Sequence, residues 1–165
     1  MKIPLDNRLT HTLDQIILAS SERWKPLEQQ SNHCSFEQFN SISCPLGQEV
    51  YYDGRDLYTS LLTEQQGARL ASAFGFSRCT NYIAYPPNTI MAWHTNSDTP
   101  GVRTYYIYTE RPGIFRYIDE SGDTVDDYDN VGWTARSFKI NPEKPLWHTV
   151  WSQGLRFAFG FNTAS

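Results

Sequence analysis

The chain of 165 residues contains no apolar run long enough to span a bilayer. Met1 to Ser20 is polar and interrupted by Pro4, so no signal peptide is expected either. Its three cysteines, Cys34, Cys44 and Cys79, form no CxxC pair and leave one over. A disulfide framework would favour an even count, so they read as buried or free thiols in a reducing compartment, the cytoplasm. Positive charge is thin: 14 Lys and Arg stand scattered among 18 Asp and Glu, for a net charge of −4. Without a basic stripe to neutralise phosphates, there is no nucleic-acid signature, although a modified base or nucleotide stays open as a substrate. No Gly-rich phosphate loop, Gly-x-Ser-x-Gly or Cys-His nucleophile pair is present, which leaves hydrolase and nucleotide-triphosphatase readings without support. No repeat, low-complexity stretch or linker divides the chain, so one domain is expected over 1–165.

What is abundant is aromatic. Phe, Trp and Tyr make up 15% of residues, most of them after Tyr51 and alternating with polar residues, the pattern of strands that carry large side chains into a core. Ahead of them, Leu13, Ile16, Ile17 and Trp24 recur at helical spacing and predict a helix over 12–29 that stops or kinks near Trp24, before Pro26. Residues 32–52 are ambiguous, with room for one or two edge strands. A second helix is expected after a cap at Thr59 or Ser60, carrying Leu61, Leu62, Ala68, Leu70, Ala71 and Phe74 and ending at Gly75. From Cys79 the period changes to two. Strands are predicted near 78–85, 90–94, 103–109, 114–119, 123–128, 134–140, 146–151 and 155–161, separated by Pro-, Gly- and Asn-containing turns such as Arg111-Pro112-Gly113. Short strands at this spacing fit a barrel or sandwich, with the helices of 1–78 covering one sheet of a core over 79–161.

Three segments carry the chemistry: Tyr85-Pro86 leading to His94-Thr95-Asn96-Ser97-Asp98, then Arg103 to Tyr108, then His148 with Arg156 eight residues on. A non-haem iron(II) site uses two imidazoles and a carboxylate on one face and keeps positions open for oxygen and a co-substrate. Ligands at i and i+2 lie on the same side of a strand. An arginine on a nearby strand can grip a carboxylate with two parallel hydrogen bonds. Alternation in Leu155 to Phe159 puts Arg156 on the face opposite Leu155, Phe157 and Phe159, where an inward arginine wants an anion.

In this order and spacing the chain resembles the iron(II)/2-oxoglutarate-dependent oxygenases, nearest in layout to the prolyl-hydroxylase group, over about half its length. The resemblance implies a mainly β (α+β) fold, a double-stranded β-helix or jelly-roll/cupin-like barrel with one or two N-terminal helices packed on one sheet. It implies Fe(II) held by His94 and His148, with 2-oxoglutarate as co-substrate gripped by Arg156 and hydrogen-bonded by Tyr85 and by Tyr106 or Tyr108. Arg103 is an alternative anion holder. One position departs from the family: Asn96 stands where the pattern has a carboxylate. An amide oxygen is a neutral, weaker donor to a hard cation. The third metal ligand is then Asn96 itself, Asp98 swung in from two residues on, or water or an anion at an open position, as in the halogenating relatives.

The resemblance thus implies a dioxygenase-type oxidoreductase that hydroxylates a small-molecule or peptide substrate, and the cysteine usage and polar N-terminus place it in the cytoplasm as an expectation. The alternative is a catalytically degenerate barrel that binds a small carboxylate or a protein partner; a third option is a cupin-like isomerase or epimerase using the two histidines with another metal. The acidic run Asp123, Asp126, Asp127 and Asp129 lacks the Gly and terminal Glu of a calcium loop and reads as a solvated hairpin. Trp93, Trp147 and Trp151, beside the histidines, are expected to pack the core, or to wall an apolar pocket.

Overall fold

A computed structural model describes residues 1–30, 34–45, 58–96 and 99–164. The predicted strands all form: β3 (Arg78–Tyr85), β4 (Thr89–His94), β5 (Gly101–Thr109), β6 (Ile114–Ile118), β7 (Thr124–Tyr128), β8 (Gly132–Ile140), β9 (His148–Ser152) and β10 (Arg156–Thr163). Two short strands, β1 (Lys2–Ile3) and β2 (Thr59–Ser60), are added at sheet edges. Pairing runs outermost with outermost, β3 with β10, β4 with β9, β5 with β8 and β6 with β7, all antiparallel. This is one long hairpin rolled up on itself, the topology of a jelly roll. Rolling sorts the strands into a six-stranded sheet, β1-β8-β5-β10-β3-β2, and a four-stranded sheet, β4-β9-β6-β7. The expected barrel is therefore two facing sheets, with no ladder closing them among the described residues.

Helices cover both outer faces. On the large sheet lies α1 (Asn7–Ala19), whose Asp6 side chain caps the Arg8 and Leu9 amides. Its Leu9, Leu13 and Ile17 are buried in one cluster with Phe157, Phe159 and Phe161 of β10. Burial of each such side chain is worth about 1.5–3 kcal/mol. The apolar stripe reaches past Ala19, but the helix breaks at Ser20, where the hydroxyl bonds back to the Ile16 carbonyl, and restarts as α2 (Ser21–Trp24) and a 3-10 turn (Lys25–Gln29) begun by Pro26. Trp24 still reaches the sheet, edge-on to Phe157 at 5.2 Å. The next covering helix, expected to be capped by Thr59 or Ser60, starts later: those residues pair with β3 as β2, and Thr63 with Gln66 forms the capping box of α4 (Glu64–Ala73). Gly75 (φ 77°) ends it in the left-handed conformation that glycine allows.

On the small sheet, where an edge strand was an option, Ser35 and Gln38 cap a short helix, α3 (Phe36–Ser41). Phe39 packs there with Ile90, Ile114 and Trp151. The Trp93 and Trp151 indoles donate to the carbonyls of Ile42 and Cys34 beside it, so both tryptophans anchor this layer and neither walls the site. No helix among the described residues is long and apolar enough to cross a membrane, and no disulfide links the cysteines.

Candidate functional site

Between the sheets lies a narrow cavity lined from both sides, by Tyr85, Tyr105 and Arg156 of the large sheet and Met91, His94 and His148 of the small one. Its free space is about 20 Å³, about one water's room. Met91, with three rotatable bonds, is its softest wall.

His94 and His148 are direct partners in the β4–β9 ladder, and their ring centroids stand 4.2 Å apart. Strict alternation would not put His94 there, because Met91, three residues earlier, already faces the cavity. A bulge resolves the conflict. Ala92 and Trp93 together oppose Thr149, which shifts the parity and turns His94 inward, while the Thr149 hydroxyl donates to the Met91 carbonyl. Each imidazole donates Nδ1–H to a carbonyl two residues back, His94 to Ala92 at 2.6 Å and His148 to Leu146 at 2.9 Å. That fixes the tautomer with Nε2 as the unprotonated, ligand-competent nitrogen. Phe115 stacks on His148 at 5.1 Å. Burial keeps both imidazoles below their usual pKa range, His148 well below it. Repulsion from a protonated His94 would add to the effect at His148, and the positive charge of Arg103 lowers both.

Asn96, two residues after His94, follows it into the same space. Its amide nitrogen lies 3.4 Å from His148 Nε2 and 3.5 Å from the Tyr105 hydroxyl. Turning the amide over would put its oxygen at the same point. His94, His148 and Asn96 thus bring two imidazoles and an amide to one side of the cavity. No set of three His, Cys, Asp or Glu converges among the described residues. Asp98, expected as an alternative ligand, lies outside the described residues.

Arg156 faces inward, 3% exposed, beside the Tyr85 ring at 5.8 Å. Its Nε donates to Asp129 at 3.1 Å. Asp129 also accepts from the fully buried Arg136, whose Nε bonds Asp127 at 2.8 Å. The reading of this acidic run as a solvated hairpin holds for Asp123 and Asp126, which are exposed on the β6–β7 hairpin, and is corrected for Asp129, which is buried between two guanidiniums, and for the half-buried Asp127, which pairs with Arg136. Burial alone would raise the Asp129 carboxyl, but Arg156 and Arg136 outweigh it and hold it below the ordinary carboxylate range. Gly113 leaves room for this, since a Cβ there would stand 2.6 Å from an Asp129 oxygen.

Tyr106 and Tyr108, expected at the site, lie on the other face. Tyr106 accepts from the Asp6 amide ahead of α1, and Tyr108 packs on Trp133 and Phe157. Period two makes this unavoidable once Arg103, Tyr105 and Ile107 point inward. Tyr105 is therefore the tyrosine that reaches the histidine pair, and it accepts from Arg103 at 3.2 Å. The alternation that separates Arg156 from Phe157 would have identified it. Nothing local singles out Asp129.

No family model and no curated protein matches the chain. Among solved structures it is similar to Peruvianin-I, a cysteine peptidase from Thevetia peruviana latex, at 18% identity and TM-score 0.36 over 50% of this chain and 48% of that one. It is also similar to a Pseudomonas putida prolyl-4-hydroxylase at 17% identity and TM-score 0.40 over 61% and 59%. The chain thus spans about half to three-fifths of those proteins' lengths.

Proposed function

We propose that this protein is an iron(II)/2-oxoglutarate-dependent oxygenase that hydroxylates a small-molecule or peptide substrate in the cytoplasm. The observation that carries the reading is the opposed histidine pair: two buried imidazoles from paired strands, each with Nδ1 tied to a carbonyl, and with His148 Nε2 turned toward Asn96. Iron(II) bound there would supply the activation of dioxygen, with 2-oxoglutarate as the electron donor. The chain's own part is binding and exclusion. His94, His148 and Asn96 would hold the metal. Arg156, oriented through Nε by Asp129, offers its remaining N–H groups to a carboxylate, and Tyr85 lies alongside. Phe115 and Phe138 pack around His148 and keep bulk water away. A diacid needs more room than the cavity offers, so its entry requires Met91 to swing aside.

A second reading, a degenerate barrel that binds a small carboxylate, is favoured by one observation: the amide of Asn96 occupies the place where a carboxylate would balance the metal's charge. One titration separates the two. Iron(II) is added without air to the chelator-free protein, followed by 2-oxoglutarate and then oxygen. A visible charge-transfer band with succinate release is expected, and His148→Ala should abolish both. Tight iron binding and a band without succinate support the second reading. Failure to retain iron at all overturns the first. Asn96→Asp should tighten iron binding by about tenfold or more if residue 96 is the third ligand, because it supplies the missing negative charge.

A further inference from the structure

Among the described residues, three buried side-chain polar atoms have no hydrogen-bond partner: Thr80 Oγ1, Arg103 Nε and Asn162 Oδ1. Native proteins leave few such atoms, and each asks for an explanation. Here they share one corner. Arg103 of β5 and Asn162 of β10 are direct cross-strand partners, so their side chains stand about 5 Å apart at Cβ. Thr80 Oγ1 lies 3.0 Å from where a Cβ of Gly160 would stand, on the same face two residues before Asn162.

Arg103 is 4% exposed and Asn162 6%. The described partners of the Arg103 guanidinium are hydroxyls, Tyr105 and Thr99, each at 3.2 Å. It thus differs from Arg156 and Arg136, which share Asp129. The Asn162 amide nitrogen donates to the Pro100 carbonyl at 3.3 Å, which identifies its bare end as the oxygen. The corner therefore offers a cationic donor, an acceptor opposite it and a hydroxyl that can do either. It connects to the histidine pair through Tyr105 and Asn96.

We propose that Arg103, Asn162 and Thr80 form the recognition site for the prime substrate, a small carboxylic acid with a hydrogen-bond donor beside its carboxylate: an α-amino or α-hydroxy acid. The carboxylate sits on Arg103, and the neighbouring N–H or O–H donates to Asn162. This deepens the oxygenase reading by naming its substrate class, and it rests on that reading only in calling the bound acid a substrate.

Binding is tested by saturation-transfer NMR on the iron-free full-length chain in the presence of a chelator. The probes are pooled L-amino acids, the matching α-hydroxy acids, the amino-acid amides and the decarboxylated amines. Free acids from one or both acid pools should bind, while amides and amines should not. Arg103→Gln should weaken binding of the responding acid about tenfold or more, since a charge-assisted contact is lost. Thr80→Val, close in shape, and Arg103→Lys, which keeps the charge but not the fork, should each weaken it less while leaving the fold intact. Failure of every acid to bind, equal binding of amides, or full affinity in Arg103→Gln overturns the proposal. Because the measurement excludes metal, acid binding without iron retention would sink the oxygenase reading and leave this site standing, and the reverse result would do the opposite.

Discussion

The two faces of β10 are built from different chemistry. Phe157, Phe159 and Phe161 press outward into the helices, whereas Arg156, Ala158, Gly160 and Asn162 face the other sheet. The outer set is continuous with α1 and α4 and stabilises by removing apolar surface from water. The inner set holds buried charges and unpartnered polar atoms, which cost stability unless something completes them. One strand thus separates holding the fold from hosting the site, and each face should respond differently to the same treatment.

The sharpest test of that division is Phe159→Ala. Phe159 is fully buried, and its truncation should lower unfolding free energy by about 3–5 kcal/mol. In denaturant titrations the loss should be large, while cobalt(II) affinity of the folded protein stays as it was. A fall in metal affinity would mean the faces are not independent. Slightly smaller is Asp129→Asn, which leaves Arg136 and Arg156 buried around a neutral amide; about 3 kcal/mol should be lost, read as a lowered melting temperature. Here 2-oxoglutarate binding should fall as well, unlike at Phe159.

Gly160→Ala comes next, at about 1–2 kcal/mol. An added Cβ would meet a Tyr105 ring carbon at 2.8 Å and Asn81 Cβ at 3.0 Å, so the methyl presses directly on the inner face. Calorimetry should show the modest loss, and the change should disturb iron binding more than Phe159→Ala does despite costing less stability. At neutral pH the last effect vanishes. Both histidines are depressed in the folded protein, so between their folded and unfolded pKa values the unfolded chain binds more protons. Stability should be full above about pH 6.5, the unfolded value, and decline as pH falls below it. His148→Gln should flatten that decline in a pH series of denaturation midpoints; an unchanged slope would mean that His148 is not the buried neutral group.

Much of the fold is legible because aromatic alternation and turn residues are local signals. The strands of the jelly roll were each expected within a few residues of where they form. Helix limits were less legible. Ser20 breaks the first apolar stripe through a bond to its own backbone, and Thr59 and Ser60 are drawn from helix cap to edge strand by pairing with Ala84 and Ile83. In the site, Arg156 could be placed inward from its neighbours, and Tyr105 could have been by the same rule applied to β5. His94 could not: the bulge opposite Thr149 reverses the parity that alternation implies, and a bulge is a property of two strands together.

The order of residues by itself determined the period-two segments, their turns, the histidines and arginines they carry, and the Asn where a carboxylate was expected. Only the tertiary structure decided which of these meet. Pairing the outermost strands first brings residues 94 and 148 into direct register. It also buries Asp129 against Arg156, 27 positions away, and leaves Arg103 facing Asn162. Contacts of that range depend on how sheets close and on which charges closure traps, and neither is encoded in any short stretch of chain.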